Sequence, residues 1–134
     1  MKKTLIVLFT LFTFSALMAK KPAFQLTFGG GGGFTGLVTT YTLNSDRTFS
    51  KEESLNHKKE ELPKVKAKEV RQIRKMLKKV NFTLVNIDKP GNMSSFITLK
   101  EGGKEYKSVW SGGKPENAEL AALNDKLTSL IPHK

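Results

Sequence analysis

Phe24-Gln25-Leu26-Thr27-Phe28-Gly29-Gly30-Gly31-Gly32-Gly33-Phe34-Thr35-Gly36-Leu37-Val38-Thr39-Thr40-Tyr41-Thr42-Leu43-Asn44 is the stretch that decides the fold. Phe24, Leu26 and Phe28 alternate with Ala23, Gln25 and Thr27, the period-2 pattern of a strand with one face in a core. Leu37, Thr39, Tyr41 and Leu43 share one face of a second strand. Between the two lie five glycines, then Phe34-Thr35-Gly36. Fixing a backbone residue costs roughly 1–2 kcal/mol, and glycine loses the most freedom, so an ordered five-glycine run costs on the order of 5–10 kcal/mol. That compares with the whole net stability of a small domain. The run is therefore expected either to stay mobile or to supply backbone where no Cβ fits. A glycine-rich hairpin corner or bulge is the simplest form, and a thin, adaptable binding loop is the alternative. Phe34 by default folds back into the core; on a binding loop it becomes a contact residue.

Downstream, Asn44-Ser45-Asp46-Arg47 is turn chemistry, and Thr48-Phe49-Ser50 opens a third strand. Residues 52–64 are polar and mixed in charge without a period, as in a loop or a frayed helical turn. From Val65 the period changes: Val70, Ile73, Leu77 and Val80, with Met76 beside them, form one helical stripe that Asn81 can stop. The other face carries Lys66, Lys68, Arg71, Arg74, Lys75, Lys78 and Lys79. Phe82 to Ile87 is a short extended candidate, and Lys89-Pro90-Gly91-Asn92 is a turn. Ser95 to Lys100 and Glu105 to Trp110 flank Glu101-Gly102-Gly103-Lys104 as a β-hairpin. Pro115 suits the first turn of a last helix, whose stripe is Leu120, Leu123, Leu127 and Leu130. The order strands, helix, strands, helix predicts an α+β domain: a mainly antiparallel sheet of about four to five strands with two helices packed on one face.

Residues 1–19 read as a secretory signal peptide. Lys2 and Lys3 precede an uncharged stretch from Thr4 to Met18, and small residues allow a cut after Ala19. The apolar stretch is shorter than the roughly 20 residues that span a bilayer. Residues 20–134 are then one domain, exported to the periplasm or the medium. It folds without disulfides, since the 134-residue chain has no Cys, and cysteine nucleophiles and Cys-based metal sites are excluded with them. The formal charge is +11, from 23 basic and 12 acidic residues. Such a surface favours solubility and weak electrostatic attraction to polyanions or envelope lipids. Specific nucleic-acid binding is not expected of an exported chain, and a monomer is expected.

Little here points to catalysis. The glycine run lacks the Gly-Lys-Ser/Thr ending of a phosphate loop, and a strand follows it instead of a helix. His57 and His133 belong to no spaced ligand cluster, and no Ser sits in a nucleophile elbow. No metal, cofactor or enzymatic activity is expected. The basic face centred on Lys68, Arg71, Arg74, Lys75 and Lys78 is either a solvated face or a docking patch for an acidic partner. Trp110 is either an edge-packing residue or an exposed anchor.

Several of these pieces occur together in one order. Gly32-Gly33-Phe34-Thr35-Gly36 follows the first strand, and the Leu-rich helix ends in Val80-Asn81-Phe82. Pro90-Gly91-Asn92 precedes Ser95-Phe96-Ile97-Thr98-Leu99, and a Leu-repeat helix closes the chain. Over about residues 23 to 131 this resembles the emfourin-like family, small bacterial proteins whose namesake inhibits a thermolysin-type metallopeptidase. The resemblance implies a compact sheet-and-helix fold and a stoichiometric inhibitor of a secreted or periplasmic metallopeptidase. It marks Gly32, Gly33, Phe34, Thr35 and Gly36 as candidate partner-binding residues. The glycine run is longer than the family's usual pair. A basic envelope- or polyanion-associated module acting through the helix face is the other expectation.

Overall fold

Backbone pairing explains the glycines before anything else does. The computed structural model describes residues 23–82 and 85–133. The leader assigned to residues 1–19 lies outside them, as do two residues of the extended segment expected at 82–87. Strand β1 spans Phe24–Gly32 and β2 spans Leu37–Asn44. Gly29, Gly30, Gly31 and Gly32 are thus not a corner but the second half of a central strand. They pair with Thr40 to Leu37 on one side and with Phe96 to Met93 on the other. This corrects the hairpin-corner expectation, and the cause is steric. A Cβ at Gly29 would fall 2.0 Å from the Thr39 carbonyl oxygen, and one at Gly31 would fall 2.1 Å from that of Leu37. Both residues also have φ beyond +150°, where an L side chain is strained.

The sheet has six strands, one more than the upper expectation, in the order β4-β3-β2-β1-β5-β6, and every neighbouring pair is antiparallel. Strand β3 is Phe49–Glu53, β4 is Lys59–Leu62, β5 is Met93–Glu101 and β6 is Lys104–Ser111. The extra strand is β4, in the segment expected to be a loop. It shows no apolar alternation because it is an edge, where charges discourage further pairing. Its charges match across the ladder instead, Lys51 opposite Glu60 and Glu52 opposite Lys59. The β5–β6 turn is as expected, with Gly102 and Gly103 both at positive φ in the two-residue turn that suits strand twist. The described part of the extended candidate at 82–87 forms no strand. Among the described residues, a single parallel bridge from Asp88 to Val109 prolongs the sheet beyond β6.

Register puts Leu26 beside Leu43 and Leu99, and Phe28 beside Tyr41 and Ile97. That face forms the core with the stripes of helix α1 (Ala67–Val80) and helix α2 (Ala118–Ser129). Phe28, Tyr41 and Phe49 stack there with ring centroids 5.6 to 6.1 Å apart. Thr27, Thr42 and Thr98 line up on the opposite face. Helix α1 ends as expected at Asn81, in the left-handed conformation. Helix α2 starts later than expected: Asn117 is its N-cap, its Oδ1 accepting from the Leu120 N–H at 2.9 Å, while Pro115 is buried just before it. Trp110 is an interior packing residue, 3% exposed.

Candidate functional site

The glycine strand leads into a shaped tip. Gly33–Thr35 makes one 3-10 turn, and Gly36 closes it in the left-handed conformation. The Gly33 N–H donates to the Asn92 carbonyl at 2.7 Å, and the Gly36 N–H to the Gly33 carbonyl at 3.3 Å. Thr35 Oγ1 accepts from the Leu37 N–H at 3.4 Å. Four of the five candidate residues (Gly32, Gly33, Thr35 and Gly36) therefore build the turn. The fifth, Phe34, stands fully in solvent at 108% relative exposure. The default expectation that Phe34 folds into the core is thereby corrected. A turn of three residues gives the ring no path back to the covered face.

Two further apolar side chains share this end of the sheet, and the sequence did not single them out. Leu55 (67% exposed) lies in the β3–β4 turn. That turn is joined to the start of β2, because the Ser54 N–H donates to the Val38 carbonyl at 3.0 Å and Ser54 Oγ accepts from the Val38 N–H at 3.0 Å. Met93 (54% exposed) opens β5 opposite Gly32. Its sulfur lies 2.7 Å from where a Gly33 Cβ would be, so the thioether covers the turn directly. Phe34, Leu55 and Met93 are the large exposed hydrophobics among the described residues. A lone Leu in a polar turn and a Met directly after Pro90-Gly91-Asn92 were the available hints. Nothing local in the sequence tells which ends of the strands meet.

The basic candidates divide. Lys68, Arg71, Lys75 and Lys78 are exposed on α1. Arg74 departs from the expected solvated face: its guanidinium lies over the Phe24 ring, 4.7 Å from the centroid. The one acid of α1, Glu69, is paired with Lys126 of α2. That hydrogen bond to Lys126 holds the Glu69 carboxyl below its ordinary range. In the β2–β3 turn, Asp46 is likewise held low, first by the Thr48 hydroxyl donating to it at 2.6 Å.

Chemistry at these positions is that of contact. No group of three His, Asp or Glu side chains among the described residues could hold a metal. His57 is exposed in the β3–β4 turn, and its nearest acid is Glu52 at 4.0 Å. A cavity of 540 Å³ runs along the helix side of the glycine strand, lined by Tyr41, Lys51, Ser95, Asn124, Asp125 and Thr128. Two of its hydroxyls are used structurally, Ser95 donating to the Gly112 carbonyl and Thr128 to that of Asn124. No family model and no curated protein matches the chain.

Proposed function

We propose that the domain is a binding protein that presses the Phe34 tip into an apolar recess of a partner. We further propose that the partner is an exported thermolysin-type metallopeptidase, which it inhibits one to one. The observation that carries the first proposal is the Phe34 side chain, wholly exposed on a turn held by backbone hydrogen bonds. A tip ordered before binding loses little conformational freedom when it docks. An aromatic ring that leaves water entirely is the kind of side chain that dominates interface energetics. The resemblance of Gly32-Gly33-Phe34-Thr35-Gly36 to the emfourin-like segment supplies the class of partner.

The backbone also suits an inhibitor better than a substrate. A 3-10 turn closed by a left-handed residue is not the extended strand that a peptidase cleft aligns for cleavage. Docked in such a cleft, the turn would fill it without presenting a bond in line for attack. The test is a titration of a thermolysin-type peptidase with the protein from Lys20 onward, which contains every residue of the described fold. Activity should fall linearly and reach its floor at one equivalent, with the inhibitor recovered uncut. Full activity at micromolar inhibitor across several such peptidases would remove the proposed partner.

A further inference from the structure

The domain's positive charge is concentrated in one place. Between Lys64 and Val80 there are eight basic side chains and one acid, Glu69, whereas the other described residues hold ten basic and eleven acidic side chains. Solubility needs no such concentration. Glu69 does not temper the outer face of α1, because it is paired with Lys126 on the neighbouring helix. Lys68, Arg71, Lys75 and Lys78 remain, all exposed. On a helix of 3.6 residues per turn they fall within an arc of about 80°. None of the four makes an ion pair among the described residues. Spaced three and four apart, they repel one another, so the bare face gains by meeting negative charge.

We infer that this face adsorbs the domain on a bilayer rich in anionic headgroups, with the Phe34 tip directed away from it. Three of the four outward residues are lysines, flexible point charges suited to a diffuse negative surface rather than to a fixed bidentate partner. No aromatic residue lies in α1, so the face offers no platform on which nucleic-acid bases could stack. The apolar stripe of Val70, Ile73 and Val80 is buried in the domain, so the helix rests on the headgroups and does not insert. Each basic residue close to such a surface contributes about fivefold in binding. The attraction falls off within a Debye length, about 10 Å at 0.1 M salt.

Orientation follows from two contacts. The Val65 N–H donates to the Arg47 carbonyl in the β2–β3 turn at 3.0 Å, and Arg74 covers Phe24, the first residue of β1. Helix α1 therefore lies at the end of the sheet where β1 begins. The tip lies beyond the other end of β1, about 27 Å away at the rise of an extended strand. One surface can hold the bilayer while the other holds a partner, and the inference does not depend on what that partner is.

Co-sedimentation of the protein from Lys20 onward with vesicles tests this. Vesicles of phosphatidylcholine containing phosphatidylglycerol should retain it at low salt, vesicles of phosphatidylcholine alone should not, and molar salt should release it. Lys68→Glu, Arg71→Glu, Lys75→Glu and Lys78→Glu together should weaken retention at least a hundredfold. The corresponding four changes to Gln should weaken it by less, with melting temperature and far-ultraviolet dichroism confirming that both variants fold. Peptidase inhibition, where present, should be unchanged in either variant. Retention that survives the Glu variant or high salt would overturn the inference, as would equal retention on neutral vesicles. Binding to heparin or duplex DNA without binding to phosphatidylglycerol vesicles would overturn it as well.

Discussion

Replacing Gly29 or Gly31 by Ala tests the pairing of the central strand. A Cβ at Gly29 would lie 2.0 Å from the Thr39 carbonyl oxygen and one at Gly31 2.1 Å from that of Leu37. Ordinary contact begins near 3.4 Å, so β1 and β2 must part by more than an ångström at that end. Forcing a methyl into a closed ladder costs about 1–3 kcal/mol, and positive φ adds roughly 1–2 kcal/mol for an L residue. Each substitution should therefore cost about 2–5 kcal/mol, a large share of the 5–15 kcal/mol that holds a domain folded. In a melt followed by circular dichroism, this is a fall of roughly 10–20 °C for a domain of this size. Gly36→Ala is the internal control. Nothing lies within 4 Å of its added methyl, so only the left-handed φ is paid for, about 1 kcal/mol. Were Gly29→Ala and Gly31→Ala both as stable as the parent, or Gly36→Ala worse than either, the glycines would not be strand residues and the register would be wrong.

Phe34→Ala should leave the melting temperature unchanged, within about 0.5 kcal/mol of stability, because the ring touches no core; a clear fall in chemical denaturation would show that it packs. Trp110→Ala should destabilise by about 3–5 kcal/mol. Trp110→Phe should cost less than about 1 kcal/mol, since it removes a buried indole N–H without a partner among the described residues and so relieves part of the lost packing. The pairing with Lys126 lowers the folded-state titration of Glu69, so its stabilisation is full above the ordinary value of 4.5 and is lost as pH falls through the lowered one. Glu69→Gln should flatten that acid limb of a stability–pH profile. The pair is partly exposed, 28% and 19%, so the effect should stay under about 1 kcal/mol.

The helices were legible because their apolar residues repeat at helical spacing, and Asn81 marked a stop that the backbone respects. The first two strands and the Gly102-Gly103 hairpin were legible for the same kind of reason. Strand β4 was not, because an edge strand need not alternate, and its signal, Lys59 and Glu60 facing Glu52 and Lys51, appears only once the register is known. The glycine half of β1 carries no side chain and hence no period, so in the sequence it reads as a corner. At the candidate site the sequence singles out the segment that forms the exposed turn, but the default of a buried Phe34 is wrong. Which residues a short turn leaves outside depends on where β1 stops, and the pairing of Gly32 with Leu37 and Met93 decides that. Leu55 and Met93 join the tip through β2 and β5, a tertiary fact. The basic stripe was legible residue by residue, except that Arg74 lies near enough to Phe24 to leave it.

The central claim is that the Phe34 ring is what the partner holds, and comparing the inhibition constants of the parent and Phe34→Ala against one thermolysin-type peptidase tests it most directly. Truncating a buried interface anchor costs 2 kcal/mol or more, about thirtyfold in affinity. The account predicts a loss of at least that size with folding stability unchanged. Equal inhibition by the two proteins would contradict it and place the contact elsewhere on the domain.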